Sequence, residues 1–300
     1  MKRSRIFMAT PATLVAAAVF AQMTWAAPLH IGSISDEPAD EIKRFLPLST
    51  YLAKHLQSEG ITEVRVVVTK GIPQMAAWLR EGKADLYIDS PFPSMAVSRL
   101  AGSKFLLRRW KKGMGEYHSV IFVRKDSGID RLADLRGKMI AFEESYSSSG
   151  YFLPKMVLTQ QGLRLVPKGD PSEPVGPAEV GYVFSNADEN TMGWVVRGRL
   201  AAGVMDNQNF LKYAKENVDR LAIVHKTFSI PRQIVSYRAD LSPKLVARIR
   251  EVLIAMDQSE GGKQALHEFE RTTRFDDLSE QALAPLRRLQ KFIDAEFGLR

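Results

Sequence analysis

The stretch EESYSSSGYFLPK, Glu143 to Lys155, sets three consecutive serines and a glycine just ahead of an apolar run that contains a proline. Hydroxyls and unpaired backbone N–H groups at a helix entrance form a neutral cradle for an oxyanion, and the helix dipole favours negative charge there. A single serine would cap the same donors without any ligand. Three of them, followed by a flexible glycine, favour an anion site. Pro154 fits best in a first turn, so the helix is expected to begin near Phe152, with the serines as a loop ahead of it.

Working outward, short apolar strands alternate with helical patterns. LHIGSIS, EVRVVVT and ADLYIDS read as strands. Between them, DEIKRFLPLSTYLAKHL carries Ile42, Phe45, Leu48, Leu52 and Leu56 at helical spacing, and IPQMAAWLREG is a helix stopped by Gly82. The rhythm then repeats through SVIFVRKD, a strand within DLRGKMIAFEE, a helix from Tyr151 to Gln161, EVGYVFS, a helix over ENTMGWVVRG, and LAAGVMDN. Such βαβ units build a mainly parallel sheet. A long extended piece, LAIVHKTFSIPRQIVSYR, follows, and from Ser242 onward the tail reads as two or three amphipathic helices. VPKGDPSEPVGPAEV is the one Pro/Gly-rich loop.

No flexible linker separates the halves. The expected architecture is α/β, with two lobes joined by strands that cross near Tyr117–Ser119 and return near Thr227–Ser229. Lobe 1 would comprise residues 27–117 and 228–300, and lobe 2 residues 118–227. Ligands of open α/β sheets sit beyond the carboxyl ends of strands. That directs attention to the loops Ser33–Asp36, Thr69–Pro73, Asp89–Phe92, Ser145–Gly150, Ser185–Asn190 and Asp206–Gln208.

The chain opens with Lys2, Arg3 and Arg5, a mostly apolar run to Trp25, and Thr24 and Ala26 at the positions a leader peptidase reads. This is the pattern of a cleavable secretory signal over residues 1–26. An uncleaved anchor is the rival reading, but Thr10, Pro11, Thr13, Gln22 and Thr24 interrupt the run. The destination expected is the periplasm. There is no cysteine, hence no disulfide framework and no lipid-modified thiol, and a mature chain of about 274 residues is long enough to do without one. The formal charge is +8, or near +5 once the leader is gone. Its densest patch, RRWKK from Arg108 to Lys112, lacks the stripe and motif of a nucleic-acid surface and reads as a solvated face.

The block EYHSVIFVRKDSGIDRLADLRGKMIAFEESYSSSGYFLPKMVLTQQGL resembles the middle of the phosphate/phosphite/phosphonate substrate-binding proteins of ABC importers. Their comparable block runs strand, adLrGk, strand, serine-rich turn with glycine, then LP. LREGKADLYIDSP and VVRGRLAAGVMD resemble two further, less specific blocks of that family. The resemblance implies a type II periplasmic binding fold whose two lobes close over a small oxyanion. By motif match, Ser147, Ser148 and Ser149 would hold phosphoryl oxygens, Asp206 occupies an acidic position that meets a ligand amine in some relatives, and Tyr117 lines the cleft at the crossing. Three positions depart from the family pattern. Asp188 stands where a histidine is common, Lys70 where an early tyrosine is expected, and Ser90 where a glycine usually precedes Pro91. Asp188 has two readings: a cleft residue, which would disfavour a dianion unless Lys70 or the ligand neutralised it, or a solvent-facing helix cap.

Other constellations are poor. The five histidines show no metal-ligand spacing, and no G-x-S-x-G elbow or S-x-x-K pair marks a serine nucleophile. Asp89 and Asp206 end strands in opposite lobes, where ligand contact or capping is simpler than acid–base chemistry. The expectation is therefore a monomeric binding protein without metal, cofactor or catalysis, delivering its ligand to an ABC permease in the inner membrane. The alternatives are a ligand-sensing partner of a membrane receptor and a secreted hydrolase.

Overall fold

The Val- and Ile-rich segments of the chain assemble into two six-stranded sheets in the computed structural model, which describes residues 27–298. The leader expected over residues 1–26 lies outside the described residues. The first half contributes β1 (Leu29–Ile34), α1 (Pro38–His55), β2 (Val64–Thr69), α2 (Ile72–Arg80), β3 (Leu86–Asp89), α3 (Pro91–Ala101) and β4 (Lys104–Lys111). A short strand β5 (Glu116–Tyr117) leads to β6 (Ser119–Arg124), β7 (Lys138–Phe142), α4 (Leu153–Gln160), β8 (Arg164–Pro167), β9 (Glu179–Phe184), α5 (Asp188–Val196), β10 (Ala202–Asp206), α6 (Asn207–Ala214) and β11 (Leu221–Lys226). The chain returns through β12 (Ile230–Pro231) to β13 (Gln233–Tyr237), α7 (Pro243–Ile254), α8 (Glu260–Glu268), β14 (Thr272–Asp276) and α9 (Glu280–Glu296).

The first sheet runs β14-β4-β13-β3-β1-β2 and the second β11-β6-β10-β7-β9-β8. In each, the strands from βαβ units are parallel, and the strands that pass between sheets, β13 and β6, pair antiparallel with their neighbours. Strands β6, β7 and β10 are buried almost throughout, as strands covered on both faces must be, which is why they read as unbroken apolar runs. The crossing is a two-stranded ribbon in which Ile230 pairs with Tyr117 and Pro231 with Glu116.

Helix boundaries follow local chemistry. α1 opens on Pro38 with Asp40 and Glu41 in its first turn and closes with Lys54 and His55, each sign placed where the helix dipole favours it. It buries Phe45, Leu48 and Leu52, whereas Ile42 is 41% exposed and falls outside the stripe expected of it. Gly82, at φ +69°, supplies the left-handed turn just beyond α2.

The basic patch at Arg108–Lys112 is not a solvated face. It is largely β4, and the charges of Arg108, Arg109 and Lys111 are paired within the protein, while Lys112 just beyond the strand is exposed. Arg109 is fully buried, donating to Thr272 Oγ1 at 2.8 Å, to the Phe269 carbonyl at 3.0 Å, to Glu270 Oε2 at 3.0 Å and to Gln233, with its guanidinium 3.6 Å from the Phe269 ring centre. Lys111 pairs with Glu270 at 2.7 Å and Arg108 with Asp276 at 2.7 Å. These charges hid β4 from an apolar-pattern reading. They also hid β14, an edge strand bonded only to β4 within a tail read as helical.

Burial pushes the Glu270 carboxyl up, but the charges and hydrogen bonds of Lys111 and Arg109 outweigh it and hold it well below the usual range. Glu270→Gln would strand the Arg109 charge in the core. Breaking one side of a buried pair costs about 3–5 kcal/mol, and a lowered midpoint in urea denaturation would register it.

Candidate functional site: the cleft between the sheets

A cleft of about 610 Å³ opens where the carboxyl ends of β1 and β3 face those of β7, β9 and β10. Lys111 from β4, Tyr117 and Arg232 from the crossing, and Gln233 and Glu270 complete its walls. The loop Thr69–Pro73 does not line it, because β2 is the edge strand of its sheet and lies away from the point where the strand order reverses.

The serine run is organised differently from a cradle. Ser148–Phe152 forms one π-helical turn leading into α4. Pro154 has no N–H to give the Gly150 carbonyl four residues back, and that carbonyl accepts the Glu143 N–H instead, at 3.1 Å. The turn and the end of β7 are thereby drawn together so closely that a Cβ on Gly150 would sit 2.5 Å from Glu143 Cβ. The Ser147 hydroxyl donates to Glu143 Oε2 at 2.9 Å and accepts from the Gly150 N–H at 2.9 Å. Ser148 is buried just behind the lining residues Ser90 and Tyr117. It donates to Ser90 Oγ at 2.9 Å and accepts from the Phe92 N–H at 2.8 Å, linking the loop after β7 to the loop after β3. Ser149 and Ser90 remain on the cleft wall.

Two of the helix ends at the cleft are likewise occupied, while α5, whose start lies in the lining, has no side-chain cap. α3 begins Pro91-Phe92-Pro93, so Phe92 carries the one N–H among its first three residues, and Ser148 takes it. α6 is capped by Asp206, whose Oδ1 accepts from the Gln208 and Asn209 N–H groups at 2.8 and 3.0 Å. The other carboxylate oxygen of Asp206 faces Arg232 Nη1 at 3.3 Å, and the Arg232 guanidinium lies 4.3 Å from the Tyr117 ring centre.

Electrostatics set the character of the cleft. Ten of its lining side chains are Asp or Glu and three are Arg or Lys. Each of the three cations already has a carboxylate: Lys111 with Glu270 at 2.7 Å, Arg44 with Glu41 at 3.1 Å, Arg232 with Asp206 at 3.3 Å. Burial pushes the Asp89 carboxyl up to about 7, although Ser90 N–H and Tyr87 OH donate to it at 2.6 and 2.8 Å. Burial and the neighbouring Glu143 charge lift Glu144 to about 8, and burial likewise raises Glu143.

Asp188, expected either in the cleft or at a solvent-facing cap, lies in the cleft at 8% exposure. Its Oδ2 accepts from Asn209 Nδ2 at 2.5 Å, while its Oδ1, also buried, has no hydrogen-bond partner. Burial, then the charges of Glu143 and Asp206, raise its carboxyl to about 8. Lys70 does not neutralise it. Lys70 is exposed on the loop after β2, with its backbone N–H 3.4 Å from Gln74 Oε1, and lies outside the lining.

Of the residues singled out from sequence, the structure therefore brings Ser90, Tyr117, Ser147, Ser149, Asp188 and Asp206 together and leaves Lys70 and Ser148 off the wall. Arg232, Lys111, Glu143 and Glu144 went unnoticed. Arg232 had a signal, a lone cation within the apolar extended stretch FSIPRQIVSY, and Glu143 and Glu144 stand just before the SYSSSG segment. Among the described residues no three acidic or histidine side chains are gathered to hold a metal ion, and no helix is long and apolar enough to cross a membrane.

Two α/β sheets of matching strand order, joined by a crossing ribbon and facing each other across a polar cleft, define a periplasmic binding protein of the two-lobed type II fold. The chain belongs to the family of ABC transporter, phosphonate, periplasmic substrate-binding proteins, which it matches over residues 31–283. Among solved structures it is similar to XAC2383 from Xanthomonas citri, at 26% identity and a TM-score of 0.84 over 89% of this chain and 97% of that one, in a structure bound to chloride ion. XAC2383 is also known bound to ATP, where the identity is 25% and the TM-score 0.83 over 89% and 97% of the two chains. The fold is shared with PhnD1 from Prochlorococcus marinus in complex with methylphosphonate, at 21% identity and a TM-score of 0.66 over 90% and 98% of the chains.

Two measurements check this geometry. A carboxyl whose folded value is raised stabilises the fold least at high pH: the folded state prefers the proton, so stability falls as pH rises from the unfolded value of about 4 towards the folded one. Asp188→Asn removes that dependence. Its advantage over the wild type in thermal unfolding should widen between about pH 5 and about pH 8 by at least about 1.4 kcal/mol, the equivalent of one pKa unit. Ser148→Ala should leave the Phe92 N–H unpaired and cost about 1–3 kcal/mol in chemical denaturation.

Proposed function

We propose that this chain is a periplasmic solute-capturing protein that closes its two lobes over a small polar molecule and presents it to an ABC permease in the inner membrane. The observation that carries this reading is the cleft itself: its walls come from strand ends of both sheets, and β5 and β12 cross between them as a narrow ribbon. Closure about such a ribbon needs no chemistry, only a ligand that binds the closed form better than the open one. The contacts proposed for the solute are Ser90, Tyr117, Ser147, Ser149, Asp188 and Asp206. The protein acts as a monomer, without cofactor, metal or nucleic acid, after removal of its leader.

The family description names phosphonate, and the relatives above are described with chloride, ATP and methylphosphonate. A panel of phosphate, phosphonates, sulfonates, carboxylates, ATP and small amines, read by thermal shift, identifies the chemical class. A ligand at a hundred times its dissociation constant adds about 2.7 kcal/mol of stability. Small-angle scattering with the best ligand should give a smaller radius of gyration than without it. An unchanged radius in the presence of saturating ligand would overturn the hinged trap.

A further inference from the structure

We propose that the anionic end of the captured solute is a carboxylate, seated at the crossing between the sheets on Arg232, Gln233 and Lys111 rather than on the serine run. The inference rests on the solute-capturing reading and adds to it the class of the anion and the side chains that select it. Donors, charge and backbone strain each point to this corner of the cleft.

Arg232 is 5% exposed and lines the cleft, with Asp206 3.3 Å from its Nη1. That pairing answers its charge without using up its donors. The Arg232 backbone N–H is bonded to the Gly115 carbonyl at 2.8 Å, but its guanidinium makes no hydrogen bond among the described residues, and none of its nitrogens is a sealed-off, unpartnered atom. The Tyr117 ring, 4.3 Å away, fixes its plane. Gln233 is oriented by Arg109. A guanidinium can only donate, so the Gln233 side-chain oxygen faces it, and the amide NH2 is left without a partner on a cleft-lining residue. Lys111 gives one N–H to Glu270 at 2.7 Å and keeps the others. The far wall offers less. Ser147 donates to Glu143 and Ser148 to Ser90, the starts of α3 and α6 are occupied, and the uncapped start of α5 carries Asp188 and Glu189 in its first turn, which repel an anion.

Charge sets the class of anion. Arg109, Lys111, Lys112 and Arg232 act on one another and on Asp206, Glu270 and Glu143. Glu41, also within reach of Arg109, is answered by Arg44 at 3.1 Å. Four cations against three carboxylates leave one positive charge in a cleft that is otherwise acidic. One negative charge balances it, and a second would sit uncompensated among carboxylates. The two coplanar oxygens of a carboxylate match the N–H fork of an arginine. The three oxygens of a phosphonate dianion ask for a cradle of donors, which the serine run, with two of its three hydroxyls committed, does not supply.

The backbone is strained at the same corner. Lys112, Glu270 and Arg271 have φ of 55°, 52° and 54°, left-handed values that side-chain-bearing residues rarely adopt, and the Lys112 N–H donates to the Arg271 carbonyl at 2.9 Å. Such strain persists where the surrounding structure imposes it, and it gathers at ligand sites. Here it places Glu270 so that one oxygen holds Lys111 and the other Arg109, which in turn orients Gln233.

Calorimetric titration of the mature protein tests this with matched pairs: acetate against methylphosphonate, pentanoate against butylphosphonate, and benzoate against phenylphosphonate, at a mildly alkaline pH where the phosphonates are dianions. At least one carboxylate should bind at least about tenfold more tightly than its phosphonate counterpart, and Arg232→Lys, which keeps a charge beside Asp206 but loses the fork, should weaken it by at least about tenfold. Gln233→Glu provides a second variant should Arg232→Lys fail to fold. It retains the oxygen that Arg109 meets, replaces the amide donor with a charged acceptor, and should weaken the carboxylate in the same direction. Phosphonates that match or exceed the carboxylates, with compaction of the protein, overturn the carboxylate seat and leave the solute-capturing reading standing. Carboxylate affinity unchanged in both variants also overturns the seat. So does the absence of binding by all of these probes, and if the wider thermal-shift panel then yields no ligand and no compaction, the solute-capturing reading falls with it.

Discussion

The ion pair between Arg232 and Asp206 is the constraint on which the cleft depends. Arg232 leaves the crossing ribbon beside Tyr117, and Asp206 ends the central strand of the second sheet. With one oxygen held by Arg232, Asp206 uses the other to cap α6, and the capped Asn209 in turn fixes Asp188. Crossing ribbon, sheet and cleft wall are thus connected through consecutive polar contacts. A buried pair of this kind adds little net stability, since desolvation offsets attraction, yet losing either partner is costly. It specifies a geometry more than it deepens a minimum.

The two sheets repeat one plan. β1 and β7 each end in a serine-bearing loop, and β3 and β10 each end in an aspartate at a helix entrance. Asp89 and Asp206 are counterparts with different environments. Asp206 has a cation and is a cap, whereas Asp89 has only Tyr87 and the Ser90 N–H and is lifted by burial towards neutrality. The duplicated frame is structural. The charges placed on it differ.

Much of the frame was legible in the sequence because apolar periodicity is set locally. The βαβ rhythm, the two crossings and the loops at the strand ends follow from runs such as VRVVVT and SVIFVR. β4 and β14 were not legible, because Arg109 is satisfied by residues about 160 positions away, and no local pattern signals that a charge will be buried. The serine run was read correctly as a helix entrance, but where its hydroxyls go depends on Phe92 and on Pro154 acting at a distance. Asp188 was ambiguous for the same reason: solvent or cleft is decided by α6, not by its own neighbours. A chain of net charge +8 also hides an acidic interior surface, because composition averages over inside and outside.

The hydroxyl pair of Ser90 and Ser148 joins the two strand-end loops through two of the smallest polar side chains, 2.9 Å apart, in a chain that has no thiol anywhere. Cysteines at these two positions would be the only thiols present, free of competing partners and of shuffling. A covalent clasp at that point would place the join between the two sheets' loops under the control of an added reductant, which makes this small contact a natural handle for a reversible cross-link.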